Sequence, residues 1–207
     1  VGVFELAGED ARDLGGLRPA NAVAIDDQGR ILAGGEGALS RRADGEWHRL
    51  GSVVGVRAID GDLVASSEGV FRIAGDELRY SGLEDVLDVA SVGAPHAASS
   101  TGLYALANGW TVVLEGSVSV VAADPETANP GSPGRAHAVG TDHAYEHTED
   151  GWQRRAFPTE EVVVDVAYGE TAYAVTENGT FLVDDGAEWR THPLGLRGVR
   201  SLAIVSR

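Results

Sequence analysis

Along residues 162–194, VVVDVAYGETAYAVTENGTFLVDDGAEWRTHPL, the apolar positions fall into four short runs. Two of the breaks are Glu177-Asn178-Gly179 and Asp184-Asp185-Gly186, and the last run opens on Trp189. Apolar runs this short, rich in Val, Tyr and Phe and punctuated by Gly, Asn and Asp, are strands joined by tight turns. The stretch therefore predicts one four-stranded antiparallel unit.

The same order of elements recurs along the chain. A strand carrying alanine appears at Val23-Ala24-Ile25-Asp26, Arg57-Ala58-Ile59-Asp60, Val89-Ala90-Ser91, Val121-Ala122-Ala123-Asp124, Val166-Ala167-Tyr168 and Leu202-Ala203-Ile204, with steps between alanines of 34, 32, 32, 45 and 36 residues. A second strand follows five times, from Ile31-Leu32-Ala33-Gly34 to Ala172-Tyr173-Ala174-Val175. A third series places Gly two residues before an aromatic or Leu, at Gly2-Val3-Phe4, Gly37-Ala38-Leu39, Gly69-Val70-Phe71, Gly102-Leu103-Tyr104 and Gly179-Thr180-Phe181, while His143-Ala144-Tyr145 holds the same place without its Gly. These glycines suit turns with positive φ. All four tryptophans, Trp47, Trp110, Trp152 and Trp189, follow in a fourth strand.

Four-stranded units repeated at this spacing predict an all-β fold, a β-propeller built from antiparallel blades. Alanines suit the first strand, where blades converge, and the tryptophans fill volume farther out. The count of strands predicts six blades, one of them incomplete and closed by both chain ends, with Val199–Val205 as first strand and Gly2–Leu6 as an outer one. The alternative is a fragment of a seven-bladed propeller. Residues 1–207 form one domain in this reading. Residues 124–135, DPETANPGSPGR, are a long surface loop, because the repeat resumes in phase at Arg135.

Composition narrows the function classes. Asp and Glu number 32 against 16 basic residues, every one of which is Arg, and the chain has no Cys and no Met. Without cysteine there is no disulfide, thiolate site or thiol nucleophile. The acidic excess without lysine suggests adaptation to molar salt, where a Debye length of about 3 Å screens carboxylate repulsion. The same charge argues against nucleic acid as partner. No apolar run approaches a membrane span and the first residues lack the pattern of a signal peptide, so a cytoplasmic monomer with no membrane association is expected. Phosphate loops that need Lys, and Gly-x-Ser-x-Gly elbows, have no match; no cofactor is expected.

Several segments resemble a haloarchaeal β-propeller family of uncharacterised function: Val56-Arg57-Ala58-Ile59-Asp60-Gly61-Asp62-Leu63-Val64-Ala65, Ala107-Asn108-Gly109-Trp110, Val163-Val164-Asp165-Val166-Ala167-Tyr168-Gly169-Glu170 and Leu194-Gly195-Leu196-Arg197. The resemblance implies a propeller from a salt-loving archaeon and implies no reaction. Members of that family look longer at the N-terminus, which favours the fragment alternative.

Three groups of residues carry candidate chemistry. His137, His143 and His147 fall close together with Asp142 and Glu146 among them, a donor set that a divalent metal could use; the competing assignment is a polar blade edge. Asp88 and Asp165 each stand two residues before the alanine of a first strand, with Arg57 and Arg200 near the same place in other repeats. Converging on a central channel, these four would give a sialidase- or lactonase-like hydrolase its acid, base and anion clamp. Equally, such an Asp caps backbone amides or pairs with an Arg. Asp184-Asp185-Gly186-Ala187-Glu188-Trp189 resembles the Asp-box turn of other propellers, a folding device, with Asp44-Gly45-Glu46-Trp47 as a shortened version. Asn178-Gly179-Thr180 matches a glycosylation sequon and is read as a turn. The expected function is a non-enzymatic scaffold binding a protein or a small ligand, with the hydrolase as its competitor.

Overall fold

The computed structural model describes residues 3–7, 10–141, 143–184, 186 and 188–202. Among the described residues its elements are strands throughout, and the protein is a β-propeller with five four-stranded antiparallel blades among them. The chain divides into two compact units, Val1–Ser91 and Val92–Arg207.

The first unit opens with a hairpin, β1 (Phe4–Ala7) and β2 (Asp10–Asp13). Blade one follows as β3 (Ala20–Ile25), β4 (Ile31–Gly35), β5 (Leu39–Ala43) and β6 (Glu46–Gly51), and blade two as β7 (Val56–Asp60), β8 (Leu63–Ser66), β9 (Gly69–Ala74) and β10 (Glu77–Gly82). Strand β11 (Val86–Ala90) is the first of blade three, whose order continues β12 (His96–Ser99), β13 (Gly102–Leu106), β14 (Trp110–Glu115). Blade four is β15 (Val118–Ala123), β16 (Ala136–Gly140), β17 (Ala144–Thr148) and β18 (Gly151–Arg155); blade five is β19 (Val163–Tyr168), β20 (Ala172–Thr176), β21 (Thr180–Asp184) and β22 (Trp189–Pro193). Five of the six alanine motifs lie on the first strand of a blade, and each tryptophan lies on a fourth strand, as the repeat predicts.

Among the described residues the expected six blades are corrected to five, and seven are not present either. Of the segments assigned to a sixth blade, Gly2–Leu6 contributes β1, which pairs only with β2. Residues 199–202 lie in no strand, held by separate hydrogen bonds such as Val199 N to Glu177 O at 3.2 Å. The rest of that expected strand, from Ala203, lies outside the described residues, as does Gly2. A strand's sequence can match the template while no ladder forms beside it.

Burial explains the pattern within a blade. Strands β8 and β12 are buried at every position, and each, as a second strand, is hydrogen-bonded to a neighbour on both edges. In the first unit Leu32, Leu39, Val53, Val56 and Val64 form a core to which blades one and two both contribute. In the second unit Val120, Val139, Val163, Val166, Ala174 and Leu182 do the same for blades four and five, with Phe157 and Trp189 packed against them.

The turns are built locally. Asp44 (φ 51°) and Gly45 (φ 85°) both take positive φ between the paired residues Ala43 and Glu46, the requirement of a two-residue type I′ hairpin. The glycine before the third strand serves two needs. At Gly69 φ is 128° and a Cβ would lie 2.1 Å from Leu83 O. Gly102 has no positive φ, and a Cβ there would lie 2.6 Å from Leu114 O, so close approach is what excludes a side chain. A buried hydroxyl closes the same turn: Ser66 Oγ donates to Gly69 O (2.9 Å), Ser99 Oγ to Gly102 O (3.2 Å), and Thr176 Oγ1 accepts from Thr180 N (2.9 Å).

The loop at 124–135 is ordered by its own bonds. Asn129 and Ser132 exchange backbone hydrogen bonds at 3.2 and 2.9 Å, Thr127 Oγ1 accepts from Arg135 N at 2.8 Å, and Ser132 O accepts from Ala94 N at 3.3 Å. These contacts fix where Arg135 enters blade four.

Candidate functional site

A polar cluster sits between blades four and five, wholly within the second unit. His137 on β16 and Glu146 on β17 are direct cross-strand partners, so they project from one face of blade four. Asp184 and Trp189 form the terminal pair of β21 and β22 in blade five. Arg135 links the blades. Its Nε lies 3.3 Å from Glu146 Oε1, and its guanidinium pairs with Asp184 Oδ2. Arg155 completes the set, donating from Nε to Glu146 Oε2 at 2.7 Å. His137 Nδ1 shares a 2.6 Å hydrogen bond with the Tyr168 hydroxyl, and its ring meets Trp189 edge-on at 5.2 Å.

Above the cluster opens a cleft of about 370 Å³, whose lining includes Glu146, Arg155, Phe157, Pro158, Glu188 and Trp189. Phe157 and Trp189 meet edge to face at 4.9 Å and form its apolar wall.

The electrostatics of the floor are balanced. Burial pushes His137 down to about 4, so the ring is neutral at pH 7. Burial also pushes the Tyr168 hydroxyl up, keeping it protonated. For Glu146 burial acts upward, and the hydrogen bonds from Arg155 and Arg135 together with the Arg155 charge outweigh it, so its pKa is lowered. Two carboxylates thus face two guanidinium groups.

His137, Glu146 and Asp184 bring ligand atoms within 4.8 Å of one another, a His-plus-two-carboxylate set that suits a divalent metal by donor type. A cation at that point would have to displace Arg135 from both carboxylates. Of the histidines singled out from sequence, only His137 joins this set. His143 Nδ1 accepts from Arg154 at 2.7 Å, His147 Nδ1 lies 2.7 Å from Gly134 O with its ring edge-on to Trp152, and Asp142 lies outside the described residues.

The four channel candidates divide between the units. In the first, Arg57 donates to Asp85 Oδ1 at 2.6 Å and to Val86 O at 3.1 Å, while Asp88 Oδ1 accepts from Val89 N at 2.9 Å. In the second, Asp165 accepts from Val166 N at 2.8 Å and Leu202 N at 2.7 Å, and Arg200 is exposed. Burial raises Asp165 to about 6 against those two amide bonds.

Sequence reasoning missed Arg135, Arg155, Tyr168 and the site role of Asp184. Asp184 does serve its turn, accepting from Gly186 N at 2.8 Å, as an Asp-box residue should. Its other oxygen takes Arg135, 49 positions away. The one signal in the sequence was the long loop, which ends on Arg135.

The family model described as Beta-prop_HVO_0234:-like, beta propeller matches residues 5–205. The chain belongs to that family. No curated protein matches this propeller. Among solved structures it is similar to the extracellular domain of BT4673 of B. thetaiotaomicron, described as a one-component system (13% identity, TM-score 0.68, 92% of this chain and 30% of that one). It is also similar to YCF48 bound to D1 peptide (16%, TM-score 0.62, 89% and 71%) and to a chain of the mitotic checkpoint complex (9%, TM-score 0.67, 94% and 74%). This propeller spans 27 to 30% of the length of the first three structures it matches. Identities this low show the fold alone.

Proposed function

We propose that the protein is a non-enzymatic β-propeller scaffold that holds a partner protein segment or a small ligand in the cleft between blades four and five. The observation that carries this is the pairing of a preformed, aromatic-walled cleft with a floor in which each carboxylate already faces a guanidinium and the histidine is neutral. Such a floor is stiff and offers no poised proton donor or acceptor, which suits recognition. The similarity to a propeller bound to a peptide supports a protein partner. The acidic, lysine-free composition supports a salt-loving archaeal source and work as a cytoplasmic monomer at molar salt.

The test is co-purification from source lysate kept at molar salt, comparing the wild type with Phe157→Ala, which removes one wall of the cleft. A partner retained by the wild type and lost by the variant is the expected result. Equal retention by both places the interaction elsewhere and ends the cleft assignment. The hydrolase reading has one observation in its favour, the raised pKa of Asp165. It requires that Asp165→Asn abolish turnover of some glycoside or lactone that the wild type hydrolyses.

A further inference from the structure

We propose that the cleft takes a single cationic side chain, an arginine or lysine presented by a partner, and that Arg155 acts as its internal competitor. The proposal rests on the reading of the cleft as a binding surface and adds the chemistry of what enters it.

The lining carries three carboxylates, Glu146, Asp184 and Glu188, and one guanidinium, Arg155, while Arg135, outside the lining, pairs with Glu146 and Asp184. Its volume, about 370 Å³, lies near the bottom of the range of roughly 300–1,000 Å³ for small-molecule sites, which fits a side chain better than a large cofactor. Trp189, the aromatic type most favourable to cations, forms part of the wall beside Phe157.

The cleft also displays how it binds a guanidinium, because it holds two of its own. Arg135 is fixed between Glu146 and Asp184, with 28% of its side chain exposed. Arg155 differs: its side chain is 53% exposed and its Nε reaches Glu146 Oε2 from the rim. An ion pair that exposed contributes little, so a ligand cation can take its place on the same carboxylate oxygen at small cost. Exchange of one guanidinium for another keeps the charge of the floor unchanged. An anionic ligand would have to bind Arg155 in the presence of all three carboxylates.

The experiment uses the full chain at the salt concentration that keeps it folded. Three blocked tripeptides, Gly-Arg-Gly, Gly-Leu-Gly and Gly-Glu-Gly, are titrated while the four tryptophan indole N–H signals are followed by 15N NMR. The arginine peptide should shift Trp189 saturably with the other three indoles unmoved, and the leucine and glutamate peptides should leave it in place. Arg155→Ala should tighten the arginine peptide by roughly 1.5- to 5-fold by freeing Glu146, and Arg155→Gln, which keeps more of the side-chain volume, should act in the same direction. A leucine or glutamate peptide that shifts Trp189 as well as the arginine peptide overturns the cationic assignment and leaves the cleft a binding surface. Weaker binding of the arginine peptide by both Arg155 variants overturns the competitor role and the proposal with it. No shift with any peptide also overturns the proposal, while the co-purification experiment still decides the scaffold reading by itself.

Discussion

Arg135 is the residue whose loss tests the cluster most directly. In Arg135→Gln the guanidinium shared by Glu146 and Asp184 disappears, leaving two carboxylates whose side chains are only 14% and 7% exposed. Removing one partner of a buried ion pair costs about 3–5 kcal/mol. Two features lower that figure here: Arg135 is partly exposed, and Arg155 still faces Glu146. The expected loss is therefore about 2–3 kcal/mol, carried mostly by Asp184. The companion variant Asp184→Asn keeps an oxygen to accept from Gly186 N, so the turn survives while the charge goes. Each single variant destabilises, and the double variant should be less destabilised than their sum by about 1–2 kcal/mol, since the second change removes a charge the first had stranded. Urea unfolding at one fixed molar salt concentration measures all four proteins under equal screening, and unchanged m-values show that the unfolded reference is the same. Additivity within about 0.5 kcal/mol, or a single-variant loss of under about 1 kcal/mol, would refute the claim that Arg135 locks the two blades through this pair.

Stability should fall as the pH drops from about 6.5 to 4. Burial holds His96 and His137 at about 4, below their unfolded value, so the unfolded chain takes up protons first and each histidine disfavours the fold in that window. Asp165 acts with the opposite sign, since its folded pKa of about 6 lies above the unfolded one; its contribution is present at low pH and lost as pH rises through 6. Two groups outweigh one, and Asp165→Asn should therefore raise stability at pH 7 and steepen the loss toward pH 4; urea midpoints from pH 4 to 8 that show a shallower slope for the variant would contradict this. With a formal charge of −16, the melting temperature should rise as salt increases from dilute to molar. Calorimetry showing the same melting temperature at both ends of that range would remove the halophilic assignment.

How much was legible in the sequence varies with the range of the interaction involved. The type I′ turn at Asp44-Gly45 and the position of every tryptophan on a fourth strand follow from contacts within one blade, and neighbouring residues encode them. His137 and Glu146, both among the residues picked out from sequence, are cross-strand partners in a hairpin, close enough along the chain for spacing to hint at their pairing. Arg135 and Asp184 are 49 residues apart in different blades, and nothing in either local pattern marks them as partners. His143 and His147 show the reverse case. Their spacing suggested a shared metal, and packing sent one to Arg154 and the other to Gly134 O.

By itself the sequence determined the class of fold, the strand order within each blade and the turn chemistry, because alternation, small residues on first strands and glycines at turns act over a few residues. Tertiary structure alone decided the number of blades and the composition of the cleft. A strand-like segment becomes part of a blade only when a ladder forms beside it, and β1 with β2 stops at two strands. The cleft depends on which faces of blades four and five meet, and that meeting turned a turn-forming aspartate and a loop-ending arginine into the floor of a site.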